Sequence, residues 1–144
     1  MARAIGINHV ALEVGDVDEA LAWYGRFFEF ELRGRRDTMA WIDLGDQFIA
    51  LARGTGQGPD HGRHFGLVVD GKEVVRETLR AAGVEVPGSG RLAFHDPWGN
   101  LVEVVDYADV QFSKAPEVLA ALGLEGLEKT DAARAEMRAK GLGG

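Results

Sequence analysis

The chain has 144 residues, 16 of them Lys or Arg and 23 Asp or Glu, for a net charge of −7 with the histidines neutral. Hydrophobic residues make up 46% and charged residues 27%, a globular balance, and the acidic surplus argues against nucleic acid or an anionic membrane as partner. Cysteine is absent, which excludes disulfides, thiolate metal sites and a cysteine nucleophile, so a metal would have to be held by His, Asp or Glu. The opening MARAIGINHV has no apolar run of signal-peptide length, and no stretch of about 18 apolar residues occurs, so a cytoplasmic location is expected.

Ile5 to Val14 alternates as a strand does, with Val10, Leu12 and Val14 on one face and Ile7, His9, Ala11 and Glu13 on the other. Asp16 with Glu19 three residues later reads as a capping box, and Ala20, Leu21, Tyr24, Phe27 and Phe28 recur at helical spacing. Phe30 to Arg35 reads as a strand ended by Gly34 and an Arg35-Arg36-Asp37 turn. Thr38 to Leu44 and Gln47 to Arg53 read as a hairpin joined at Gly45-Asp46.

Gly54 to Gly62, GTGQGPDHG, is the best linker candidate. The same order then restarts. Phe65, Leu67 and Val69 alternate against His64, Gly66 and Val68. A helix follows Asp70-Gly71 with Val74, Val75, Thr78, Leu79 and Ala82 on its apolar face and Gly83 as a left-handed cap. Val84 to Val86, Arg91 to His95 and Leu101 to Asp106 read as strands, the last two joined through Asp96-Pro97-Trp98-Gly99-Asn100. In the remainder, a short helix begins near Pro116 and stops at Gly123, and a second runs from about Asp131 to Lys140. Leu119, Leu122, Leu124 and Leu127 would pack on the modules or on another subunit.

This is an internal repeat: His64 follows His9 by 55 positions, Val75 follows Leu21 by 54, and Gly99 follows Gly45 by 54. The expected organisation is α+β, with a βαβββ module over 1–53, a Gly-rich linker over 54–63, a second βαβββ module over 64–108 and a helical extension over 109–144. Each module would cover one face of its sheet with its helix. The open faces would join into a curved mixed sheet around a cleft.

The alternation puts His9 and His64 on the open side at the same point of the repeat, and Glu103 on the open side of the last strand. Taken singly, each reads as an ordinary satisfied polar residue. Together they form a 2-His-1-carboxylate set that suits Fe, Mn, Zn, Ni or Co and leaves coordination positions open.

Three stretches, INHVALEVGDVDEALAWYGRFFEFEL, RHFGLVVD and FHDPWGNLVEVV, resemble the vicinal oxygen chelate superfamily, which includes glyoxalase I, fosfomycin-resistance transferases, extradiol dioxygenases, methylmalonyl-CoA epimerase and bleomycin-binding proteins. The resemblance covers about residues 5 to 107. It implies a divalent metal on His9, His64 and Glu103, with the fourth ligand position of the family falling on Ala50 or Ile49, neither of which binds metal. That departure disfavours glyoxalase I and epimerase chemistry, both of which place a carboxylate there. Ala11 replaces the hydroxyl residue of the fosfomycin transferases. Dioxygenase chemistry would call on His95 as a further catalytic group beside Glu103. By analogy, Trp41, Phe48, Ala50 and Arg91 line the cleft, which suits a flat or aromatic organic acid. The implied function is a metal-dependent enzyme on a small oxygen-chelating substrate, of lyase, dioxygenase or transferase type. The alternative is a metal-free protein that binds a drug-like or aromatic molecule, and either would work as a homodimer, with modules closed within one chain or exchanged between two.

Overall fold

The computed structural model describes residues 1–3, 6–54 and 56–143. Seven strands and four helices appear among them, in the order β1 (His9–Val14), α1 (Val17–Tyr24), β2 (Glu31–Arg36), β3 (Met39–Asp43), β4 (Phe48–Arg53), β5 (Phe65–Val69), α2 (Lys72–Ala81), β6 (Leu92–His95), β7 (Leu101–Asp106), α3 (Pro116–Ala121) and α4 (Asp131–Ala139). The first sheet runs β1-β4-β3-β2 and the second β5-β7-β6. In each, the first strand pairs in parallel with the last and the rest is antiparallel, so the α+β class and the repeat both hold. The expected curved mixed sheet is present as two separate mixed sheets.

Several boundaries differ from the sequence reading for local reasons. The first strand starts at His9, and Ile5 lies outside the described residues. Asp16 caps α1 by accepting from the Glu19 N–H at 2.9 Å, but the helix ends at Tyr24 and Phe27 packs from the following turn. Arg35 and Arg36 belong to β2, because the strand absorbs Gly34 through a bulge after Leu32 instead of ending there. Val74 is 68% exposed, so the buried stripe of α2 rests on Val75 and Leu79, with the Arg76 side chain buried beside them.

Val84 to Val86 forms no strand, which leaves three strands in the second sheet. The segment is held from the helix side instead. Gly83 adopts φ +79°, and the Val84 N–H closes onto the Leu79 carbonyl, a left-handed helix cap. Arg76 donates to the carbonyls of Pro87 and Gly90, both at 2.6 Å. The guanidinium thus satisfies two carbonyls in the turn that follows the segment.

The packed faces of both sheets meet in one core. Leu12, Val14, Ala40, Ile42 and Leu51 from the first module cluster with Leu79, Leu92, Phe94, Val102 and Val104 from the second. Trp23 and Phe28, flanking the end of α1, put their rings 5.7 and 6.2 Å from that of Phe94. Asp96 is buried between them. It accepts from the Tyr24 hydroxyl at 2.8 Å and from Asn100 Nδ2 at 2.8 Å, and Asn100 Nδ2 also donates to the Glu13 carbonyl at 2.9 Å. The Asp-Pro-x-Gly-Asn turn therefore ties module two to module one.

The extension after β7 crosses to the first module. Lys114 pairs with Asp46, and Gly45 is so close to α3 that a Cβ there would stand 2.6 Å from Val118. Gly45 also needs its freedom for φ +91°. Leu119, Leu122, Leu124 and Leu127 are half-buried, and Ala133 and Met137 of α4 are buried.

Burial, then the Asp96 charge, pushes the Tyr24 hydroxyl well above the usual tyrosine range. The folded chain keeps that proton while the unfolded chain releases it near pH 10, so this contribution to stability falls as pH rises past about 10. Tyr24→Phe should cost about 1.5–3 kcal/mol at pH 8, the range for a hydrogen bond to a charged group. It should also flatten the alkaline loss, as read from urea unfolding at pH 8 and pH 10.5. Equal alkaline slopes in both proteins would contradict the assignment.

Candidate functional site

Alternation along the strands decides what the open faces carry. On β1, Leu12 and Val14 are buried, while His9 and Ala11 are exposed and Glu13 half-exposed. On β7, Val102 and Val104 are buried and Glu103 faces out. The register also resolves the repeat. Ala11 lies opposite Ala50, and Gly66, two residues after His64, lies opposite Glu103. Ala50 is therefore the first module's counterpart of Glu103, and Ile49 faces the core.

His64 stands just before β5 and aims Nε2 at Glu103, 3.3 Å from Oε2. Its Nδ1 is 2.8 Å from the Gly62 carbonyl. A carbonyl only accepts, so Nδ1 carries a proton and donates to it, and Nε2 is the atom turned toward the carboxylate. Arg91 reaches the same carboxylate oxygen at 3.2 Å. The hydrogen bond from Arg91 holds the Glu103 carboxyl below the usual range against the opposing effect of burial, with the Arg91 charge and His64 adding to it.

His9 is oriented in the same way. Its Nδ1 meets Asn8 Oδ1 at 2.8 Å, leaving Nε2 free, and its ring stacks on Phe48 at 4.7 Å and 4°. The Arg33 guanidinium lies 4.7 Å from the Phe48 ring and bonds Asp43 and the Gly45 carbonyl. Trp41 shares this face and lies opposite Ala50, with the Arg36 guanidinium 5.8 Å from its ring. Arg33 and Arg36 were not among the residues the sequence pointed to. Leu32 lies opposite core-facing Ile42, so alternation puts Arg33 on the open face, and the bulge before Gly34 brings Arg36 there too; a glycine inside a strand was the available signal for the bulge.

The expectation that His9, His64 and Glu103 converge within one chain is not met. Among the described residues, no group of three His, Asp or Glu side chains is placed to hold a metal ion. His64 and Glu103 come together on the second module, and His9 stands apart on the first. The shared core explains the separation, because it draws the two packed faces together and leaves both open faces outward. His95, read as a further catalytic group, donates from Nε2 to the Asp60 carbonyl at 2.8 Å and so braces the linker.

The family model for the Glyoxalase/Bleomycin resistance protein/Dioxygenase superfamily matches residues 6–104. The chain belongs to this family. A possible glyoxalase from Bacillus cereus superimposes with a TM-score of 0.61 at 23% identity, over 71% of this chain and 99% of that one. The fosfomycin resistance protein FosX of Listeria monocytogenes gives 0.61 at 19%, over 72% and 94%. Lactoylglutathione lyase of Agrobacterium tumefaciens gives 0.57 at 23%, over 73% and 96%. Comparison with curated protein sequences finds no match. No helix among the described residues is long and apolar enough to cross a membrane.

Replacing Arg91 with Met should leave Glu103 facing His64 alone and raise the titration midpoint of its carboxyl, as followed by carbon NMR of the labelled side chain. An unchanged midpoint would show that Arg91 does not hold Glu103 in solution.

Proposed function

We propose that this family member is a divalent-metal-dependent enzyme for a small organic anion bearing paired oxygens, and that its site is completed between two copies. The observation that carries the reading is the His64–Glu103 pair, in which Nε2 of a ring oriented by the Gly62 carbonyl stands 3.3 Å from a carboxylate oxygen. The donor set fits the group: two imidazoles, each with Nδ1 bonded to a neighbouring oxygen and Nε2 on the far side of the ring, and one carboxylate. His64 and Glu103 would hold the ion together with His9 of the partner subunit, since one chain does not bring the three together. Support also comes from FosX of Listeria monocytogenes, a protein of similar fold described in complex with Mn(II).

Such an ion acts as a Lewis acid on oxygens bound to it. The chain's own residues do the rest. Trp41 and Phe48 offer flat apolar surface to the body of the substrate, and Arg33, Arg36 and Arg91 set a positive rim that favours an anion. Ala50 places a methyl group where a carboxylate would serve as fourth ligand and proton shuttle, which favours addition or oxygen chemistry over proton relay. Small residues at Ala11, Ala50, Gly66 and Ala93 leave room between the facing sheets.

The test is complementation. His9→Ala and Glu103→Ala homodimers should each lose Co(II) or Mn(II) binding, while co-folded mixtures regain one intact site per heterodimer. A monomer by sedimentation at micromolar concentration would sink the shared site. Wild-type protein purified without a His-tag that takes up no divalent ion, yet binds aromatic acids, would favour the metal-free binding protein, in which Arg91 is the permanent partner of Glu103. Ala50→Glu should tighten Co(II) binding at neutral pH by at least about tenfold, as expected for an added anionic ligand. No change would show that Ala50 does not face the ion.

A further inference from the structure

The glycine-rich linker is anchored. Gly54 N–H donates to the Val14 carbonyl at 2.9 Å, and Gln57 N–H donates to Glu13 Oε1 at 2.9 Å. Pro59 packs on Gly99 so closely that a Cβ there would stand 2.8 Å from Pro59 Cα. At the centre is Asp60, only 7% exposed in a stretch that otherwise faces solvent. Its N–H donates to the Gly99 carbonyl at 2.8 Å and its carbonyl accepts from His95. Its carboxylate accepts from Arg63 Nε at 2.8 Å, from the Leu101 N–H at 3.2 Å and from Gln57 Nε2 at 3.4 Å.

Two of those contacts bear on the site. Arg63 immediately precedes His64, and Leu101 opens β7 two residues before Glu103. One buried carboxylate therefore grips the chain beside both donors of the half-site. The His64 ring depends on that grip, since the carbonyl that fixes its tautomer is Gly62, a linker residue between Asp60 and His64. Burial alone would raise the Asp60 carboxyl, yet the bonds from Arg63 and Leu101 hold it below the usual range, so it stays a charged acceptor at neutral pH.

We propose that Asp60 is a positioning residue for the metal half-site, locking the linker to β7 so that His64 meets Glu103 in a single ring orientation. This rests on reading His64 and Glu103 as metal ligands. Sequence alone gives no such role to a lone acid in a Gly/Pro-rich run.

The test compares wild type, Asp60→Asn, and Leu79→Val, which loosens the core away from the linker. Nitrogen NMR of the metal-free imidazoles should show His64 in wild type and Leu79→Val as one tautomer protonated on Nδ1. In Asp60→Asn it should show an averaged pair of tautomers. Co(II) absorbance titrations should give a Kd raised about 10- to 100-fold in Asp60→Asn, the usual size of such outer contacts, and little changed in Leu79→Val. A His64 signal and Co(II) affinity within twofold of wild type in Asp60→Asn would overturn the proposal, as would equal disturbance by Leu79→Val. If wild type binds no Co(II), the metal reading fails by itself, while the tautomer of metal-free His64 still decides the role of Asp60.

Discussion

The burial of both packed faces in one core governs the rest of this molecule. A βαβ-type module leaves one sheet face on its helix and one face bare. Here Trp23 and Phe28 of module one press on Phe94 of module two, so the helix-side surfaces of the modules share a single interior. Side chains that alternate away from that interior have no choice but to point outward. His9, Ala11 and Trp41 on one sheet, and Gly66, Ala93 and Glu103 on the other, follow from this one constraint. A bare sheet face with half-exposed aromatics is a surface that proteins of this size seldom leave uncovered, which is why the proposed site is built with a second copy.

The outward residues are nonetheless oriented by specific contacts. Each histidine has one nitrogen committed to a neighbouring oxygen, Asn8 for His9 and Gly62 for His64, and presents the other. Phe48 fixes the His9 ring plane by stacking, and Arg33 lies against Phe48 while its guanidinium ties down the β3–β4 turn. Such preorganisation limits the freedom lost when a ligand arrives. The asparagine preceding the first histidine thus orients its ring, leaving Nε2 as the atom turned outward.

Much of this was legible in the sequence because alternation and helical spacing report burial directly. Leu12 and Val14 against His9 and Ala11, or Val102 and Val104 against Glu103, are read correctly by period alone. The failures share a different cause. Val84 to Val86 has the composition of a strand, but Arg76 reaches its far end from the helix and satisfies carbonyls there. Arg36 reaches the open face through a one-residue bulge, which reverses parity without altering composition. Asp60 matters through partners up to 41 residues away, and no local pattern carries that. The separation of His9 from His64 is also non-local, since equivalent positions in two modules say nothing of whether the modules turn their open faces toward each other.

The same non-local ties bear on how a shared site would arise. Exchange of modules on a slack linker would require residues 54–63 to let go of their own chain. Instead they are bonded to Glu13 and Val14 at one end and to Gly99, Leu101 and His95 at the other. The extension after β7 adds a second strap, because it leaves module two and packs Val118 against Gly45 of module one. Asn100 adds a third through the Glu13 carbonyl. A chain fastened by these straps and by the Tyr24–Asp96 bond across its module boundary is a preformed unit, and two such units would meet by docking open face to open face rather than by unthreading. On this view the linker is a strap, packed at Gly54 against Glu13 and at Pro59 against Gly99 in the turn beneath it, and the rigidity of each half is what allows ligands from two chains to meet.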